Sequence, residues 1–304
     1  MSHPAHIDKV ENPQPHAAVA TAGRIEVSAE QAARLLAAAE SLPLYDNEEF
    51  YSTELQKAVL DHIRFACVDE FDGLINSIRN QIAEWPYWVL ISGLSFDRGN
   101  RLFVAINRAF GELVAPPFEK PRVQLVHYIQ PATDLRSSRG GRESERLHTD
   151  TADWKTPVEL ISMVCVRPDR SGGGRSRILD IDTIRNDVRK RMGEESLRLL
   201  ETQPVPWQVA SYCGGGIDWR PVLTNSSICW RRYTIDFSLL SNEMIALLEA
   251  FEEIITTAPR TASFLMIEDE MLFSDNTRTI HSRTPISADE KSDRLMIRSW
   301  IRTS

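Results

Sequence analysis

Two short stretches of this chain hold side chains that can grip one metal ion. The first is His148-Thr149-Asp150. The second, after a long gap, is His281 within Asp275-Asn276-Thr277-Arg278-Thr279-Ile280-His281-Ser282-Arg283. Two imidazoles and one carboxylate can cover one face of an octahedral Fe(II) and leave three positions open for other ligands. The spacing suits a β-strand. Residues i and i+2 point to the same side, so His148 and Asp150 both reach one ion. The third ligand, His281, must then come from another strand brought alongside.

A bare His-x-Asp is common by chance, so the other histidines and the surrounding elements matter. His3, His6 and His16 fall in residues 1–24, a stretch with Pro4, Pro13 and Pro15 and few large apolar groups; it reads as a flexible, solvated arm. His62 lies in a predicted helix as a surface or packing residue, and His127 in a predicted strand near the site, where it packs or lines a pocket.

The elements that must position the triad follow from hydrophobic periodicity. A helix starts at Ser28, with Gln31 as capping-box partner; further helices cover about 54–65 and 71–84. Residues 87–94 form a short apolar run ended by glycine, a buried strand. Asn100 can cap a helix carrying Leu102, Phe103, Ile106, Phe110 and Leu113. From residue 121 strands dominate, at 122–130, 146–151, 158–167, 177–181, 206–212, 227–237, 265–273, 279–283 and 294–302, interrupted by helices over about 182–201 and 242–258. Many strands with few short hairpin turns point to a mainly β domain with added helices, a double-stranded β-helix or jelly roll, spanning 25–304 as a single unit.

Composition narrows the partners. A net charge of −8 and the lack of a Lys/Arg run argue against nucleic acid, while a few buried arginines would still admit an anionic small molecule. No stretch reaches the roughly 20 apolar residues of a membrane span. The N-terminus lacks the pattern of a signal peptide, and Cys67, Cys165, Cys213 and Cys229 form no CxxC pair, so a cytoplasmic protein with reduced thiols is expected. The Gly172–Gly174 and Gly214–Gly216 runs lack the Lys-Ser/Thr of a phosphate-binding loop and read as turns. Oligomeric state leaves no mark in the sequence.

Several blocks now fall in a telling order: Trp88–Leu94, Phe110–Leu113, Leu147–Asp150, Pro168 through Gly172–Ser176, Asp275–Arg283 and Arg294–Arg298. In that order the chain resembles the Fe(II)/2-oxoglutarate-dependent dioxygenases of the taurine dioxygenase and clavaminate synthase-like group, over roughly residues 85–302. The resemblance implies His148, Asp150 and His281 as iron ligands, with Fe(II), 2-oxoglutarate and O2 as cofactor and cosubstrates. It implies that Arg294, thirteen positions after His281, pairs with the distal carboxylate of 2-oxoglutarate, to which a planar guanidinium donates two parallel hydrogen bonds. Ser176 stands where the family often has a threonine whose hydroxyl assists the same carboxylate. Arg298, four residues on and on the same strand face, holds an acidic group of the substrate or else lines the cosubstrate pocket. Arg283 would be a structural neighbour of the metal, and Asp275 and Asn276 would shape the turn before His281. Trp154, Trp219 and Tyr128 line the pocket or, the better reading, pack in the core.

The implied reaction hydroxylates an unactivated C–H bond of a small molecule, an amino acid or a biosynthetic intermediate bearing a carboxylate, and releases succinate and CO2. Retention of Asp150 favours hydroxylation over halogenation; desaturation, epoxidation and cyclisation share the oxidant. Two other readings stay open: a hydrolase or isomerase using another divalent metal, with no need of Arg294, and a non-enzymatic barrel whose histidines are structural.

Overall fold

The computed structural model of the chain describes residues 23–115, 125–131, 145–286 and 293–303. All but the last two residues of the expected arm, and the start of the 122–130 strand, lie outside them. In chain order the strands are β1 Arg24–Glu26, β2 Trp88–Ser92, β3 Glu112–Val114, β4 His127–Ile129, β5 Glu145–His148, β6 Leu160–Arg167, β7 Ser176–Asp180, β8 Val205–Gln208, β9 Ile217–Arg220, β10 Ala262–Phe264, β11 Met271–Asp275, β12 Thr279–Arg283 and β13 Leu295–Arg302. The α-helices are α1 Ala29–Glu40, α2 Thr53–Ala66, α3 Val68–Ala83, α4 Arg101–Arg108, α5 Ile181–Met192, α6 Glu194–Thr202 and α7 Asn242–Thr256. None is long and apolar enough to cross a membrane.

Period-2 alternation decides how the sheets pack. The larger sheet runs β1-β2-β11-β6-β13-β3, with β4 also on β13; the smaller runs β10-β7-β12-β5; β8 and β9 pair separately. One face of the larger sheet, with Val89, Ile91, Val164, Phe273, Ile297 and Ile301, is buried against α1–α4. Its other face, with Trp88, Leu90, Cys165, Leu272 and Met296, meets Ile178, Ala262 and Phe264 of the smaller sheet. The smaller sheet turns Leu147, Leu179 and Ile280 outward beneath α5–α7, where Trp207, Trp230 and Phe251 are fully buried. Each large apolar side chain so buried contributes about 1.5–3 kcal/mol, against about 1 kcal/mol for a helix cap. The helices are therefore held mainly by their apolar stripes.

The structure corrects several sequence expectations. Ser28 caps α1 through the Gln31 amide (3.2 Å), but the Gln31 side chain donates to Glu70 O on α3 (2.8 Å) instead of closing a capping box. Asn100 is left-handed (φ 58°) and makes no cap bond; the buried Asp97 carboxylate accepts from the Gly99, Arg101 and Leu102 amides in its place. Helix α4 stops at Arg108, and Leu113 lies on β3 opposite Ile301. The single helix expected over 182–201 is broken at Gly193 (φ 89°). The strand expected over 265–273 begins only at Met271, because 265–270 carry the chain from the smaller sheet (β10) to the larger (β11). The 206–212 strand ends at Gln208. Residues 227–237 form no strand: their backbone bonds go to local turns and to scattered partners at Thr149, Val222, Thr277 and Pro206.

Candidate metal centre

Strands β5 and β12 pair antiparallel, and the register sets His148 directly opposite His281. Both rings therefore emerge on one face, with centroids 4.6 Å apart. Asp150 is not on the strand, since β5 ends at His148. The chain turns there, with Thr151 left-handed (φ 55°). Asp150 is instead pinned through its backbone by Asn276, whose Oδ1 accepts from the Asp150 amide (3.0 Å) and whose Nδ2 donates to the Asp150 carbonyl (3.1 Å) and to Val158 O (2.8 Å). Thr149 is fastened to Trp230 by two further bonds, its amide to Trp230 O (2.7 Å) and the Trp230 amide to its hydroxyl (3.0 Å). Asn276 thus does more than shape the turn before His281; it builds the ligand set's other half.

The three side chains converge. One nitrogen or oxygen from each of His148, Asp150 and His281 lies within 4.8 Å of the others. Asp150 Oδ1 stands 3.4 Å from His148 Nε2 and 3.8 Å from His281 Nε2. Cis ligands about 2.1 Å from a shared ion stand about 3 Å apart, so a bound ion asks only a small inward movement. His148 Nδ1 lies 2.8 Å from Arg146 O, and a carbonyl only accepts, so Nδ1 carries the hydrogen and Nε2 the lone pair. Among the described residues the buried His281 Nδ1 finds no partner, so no such bond there fixes its ring.

Electrostatics suit a cation. Burial, the neighbouring His148 and the Arg298 and Arg231 charges push the His281 imidazole down to about 3, against the pull of Asp150, so the ring is neutral. Burial alone would raise the Asp150 carboxyl; the Arg298 guanidinium opposes it, and the group is held well below the ordinary range. Two neutral imidazoles and one carboxylate are the donor set that Fe(II) takes in its facial sites.

The second oxygen of Asp150 is also occupied. Oδ2 accepts from Arg298 Nη1 (3.0 Å) and from Trp300 Nε1 (2.8 Å). Trp300 was not singled out from the sequence, although it shares the inward face of β13 with Arg298 by simple alternation. Arg298 lies over the Trp300 ring (4.8 Å), and His127 packs against the same ring (4.8 Å). The pairing of β4 with β13 sets His127 opposite Arg298. Burial and the Arg298 charge push His127 down to about 3, so it too is neutral, with Nε2 buried and unpartnered among the described residues.

Arg294, Ser176, Arg298, Arg283 and His281 line one interior cavity, closed by Ile129, Met163 and Leu272. Arg294 and Ser176 are both buried. Arg294 reaches the cavity across Gly174, where an added Cβ would stand 2.8 Å from its Nε. Trp154 is buried against Trp300 (5.9 Å), as core packing requires. Trp219 and Tyr128, expected in the core, are exposed. His62 is exposed, 2.8 Å from Ser41, and the four cysteines are free thiols.

Comparison with solved structures gives the same architecture. An asparagine oxygenase in complex with Fe(II), (2S,3S)-3-hydroxyasparagine and succinate matches with TM-score 0.77 and 14% identity over 92% of this chain and 93% of that one. The non-heme iron oxygenase OrfP matches in complex with Fe, succinate and (3R,4R)-dihydroxy-L-Arg at TM-score 0.74 (14% identity, 92% and 94% covered), and with Fe and alpha-ketoglutaric acid at 0.72 (14%, 93% and 94%). No curated protein matches by sequence. Residues 86–300, well over half the chain, match the family described as taurine catabolism dioxygenase TauD, TfdA family. With its His-Asp-His cluster inside that span, the chain belongs to this family of non-haem iron, 2-oxoglutarate-dependent oxygenases.

Proposed function

We propose that the protein hydroxylates an unactivated C–H bond of a small amino-acid-like substrate bearing a carboxylate, within a double-stranded β-helix formed by the two facing sheets. The single observation that carries this reading is the convergence of His148 Nε2, Asp150 Oδ1 and His281 Nε2 beside a cavity that also holds Arg294 and Arg298. When bound, Fe(II) with 2-oxoglutarate and O2 supplies an oxidant able to cleave a C–H bond, with succinate and CO2 as coproducts. The protein's own part is placement. His148, Asp150 and His281 hold the metal on one face. Arg294 and the Ser176 hydroxyl hold the distal carboxylate of 2-oxoglutarate, in a buried setting where a charge-assisted bond is strong. Arg298 holds the substrate carboxylate. Its Nη1 is committed to Asp150, but its buried Nε has no partner among the described residues, so it still has donors to offer. The liganded asparagine oxygenase and OrfP structures, with a hydroxyasparagine and a dihydroxyarginine, support an amino-acid-like substrate. Four free thiols support a reducing, cytoplasmic setting.

The hydrolase and non-enzymatic readings fall with the family assignment. The test is an anaerobic titration of apoprotein with Fe(II), then 2-oxoglutarate, watching the visible charge-transfer band. The wild type is expected to develop the band, Asp150→Ala to lose it, and Arg294→Ala to need about tenfold or more 2-oxoglutarate. Iron binding without a band would sink the cosubstrate assignment; a band undiminished in Asp150→Ala would sink the ligand set.

A further inference from the structure

The strand that supplies His281 carries a second functional side chain on the same face. Residues i and i+2 of a strand point the same way. Arg283 therefore follows His281 onto the inner side of β12, and both line the cavity. The register with β7 runs unbroken from Thr279 to Arg283, setting His281 opposite Ile178 and Arg283 opposite Ser176. Arg283 Nη1 donates to Thr284 O (3.0 Å), which steadies the side chain along its own strand. Arg177 and Ser282 border the same cavity, but alternation turns their side chains toward the outer face that Leu179 and Ile280 share.

The pairing of the two segments continues past the strand ends. The Thr284 amide donates to Arg175 O (2.9 Å), the Arg175 amide to Thr284 Oγ1 (2.9 Å) and the Gly174 amide to Pro285 O (2.8 Å). Gly174 is also where the Arg294 side chain passes, since an added Cβ there would stand 2.8 Å from Nε and 3.4 Å from Cζ. The cavity wall is thus laid out in two-residue steps, about 7 Å each: His281 beside Ile178, then Arg283 beside Ser176, then Arg294 at Gly174. Arg283 stands one step from the metal ligand. That step is comparable to the length of 2-oxoglutarate from its keto oxygen to its distal carboxylate.

We propose that Arg283 is a second cosubstrate-binding arginine, which joins Arg294 and Ser176 in holding the distal carboxylate of 2-oxoglutarate. The proposal rests on the oxygenase reading above and deepens it. It gives a binding role to a side chain that sequence alone presents as a structural neighbour of the metal. Two guanidinium groups around one anion reward a charged distal end and penalise a neutral one, because a cation withdrawn from water is costly without its partner. The expected property is strong selectivity for 2-oxo acids that end in a carboxylate.

The experiment uses the full-length apoprotein, titrated anaerobically with Fe(II) and then with one of two acids. One is 2-oxoglutarate; the other is 2-oxovalerate, which has a methyl in place of the distal carboxylate. The readout is the concentration that half-develops the charge-transfer band. Arg283→Gln is expected to raise it about tenfold for 2-oxoglutarate, to leave it within about twofold for 2-oxovalerate, and to leave Fe(II) affinity unchanged. Arg283→Lys keeps the charge and should regain part of the loss. If 2-oxovalerate develops no band in either protein, Fe(II) affinity and the lysine variant decide. The proposal is overturned if Arg283→Gln binds 2-oxoglutarate as tightly as the wild type. It is equally overturned if both acids or Fe(II) are lost in the same proportion, as in a misassembled cavity, or if Arg283→Lys behaves as Arg283→Gln does. Failure of the oxygenase reading looks different, because then the wild type forms no band with 2-oxoglutarate at all.

Discussion

Trp300 and Arg298 together hold one oxygen of Asp150, and the other oxygen is the one facing both histidines. This division of labour makes the carboxylate a one-armed ligand with a fixed orientation. Trp300→Phe keeps an aromatic ring against His127, Trp154 and Arg298 and removes the indole N–H together with its five-membered ring. We expect it to weaken Fe(II) binding about tenfold, in the range of partners that orient metal ligands, with little change in thermal midpoint. Unchanged Fe(II) affinity by anaerobic titration would show that Arg298 suffices. At this scale the sequence was legible where chemistry is written in residue type, as at His148, Asp150 and His281, which the structure does bring together. It was less legible where the function belongs to geometry. Asn276 looked like a turn residue, and only the fold reveals that its side chain bridges the Asp150 backbone to Val158.

Strand β13 and the glycine turn before β7 meet at Arg294. Gly174 has φ +72°, and an added Cβ there would press on Arg294 Nε and Cδ, at 2.8 and 3.2 Å. Gly174→Ala is therefore strained in its backbone by about 1 kcal/mol or more and displaces the arginine. The expected outcome is 2-oxoglutarate binding weakened about tenfold, a loss of about 1.4 kcal/mol, with Fe(II) binding unchanged, both read from the same titration. Equal loss of both would indicate a collapsed site instead. Regular elements such as β6, β12, β13 and α7 were readable because hydrophobic period and element agree over many residues. Short strands such as β1, β3 and β9, of three or four residues, are too brief for a period to register. Residues 227–237 misled for the opposite reason. Ile228, Trp230 and Ile235 are apolar because they pack under α7, while their backbone follows turns.

For the whole molecule, stability and acidity are linked through a histidine buried beside an arginine. His127 in the folded protein titrates at about 3, below its ordinary value near 6.5, so the unfolded chain takes up the proton first. The stability this confers is complete above about pH 6.5 and is lost as pH falls toward 3. Denaturant unfolding of the apoprotein at pH 7 and pH 5 should therefore lose about 1–2 kcal/mol more in the wild type than in His127→Gln. An identical loss in both would show that His127 is not the responsible group. The same scale explains why the substrate stayed out of reach of sequence reading: which arginines find acids is settled only by the fold, as where α7 supplies Glu249 and Glu252 to Arg232. The 227–237 segment belongs to no named strand; it is fastened at Trp230 to Thr149, at Ile228 to Thr277, at Cys229 to Val222 and at Asp236 to Pro206, with local turns between. Side chains there can be exchanged without unpicking the strands that hold the metal. Over generations of drift, or in a directed-evolution library, this segment is where change close to Thr149 disturbs the two sheets least.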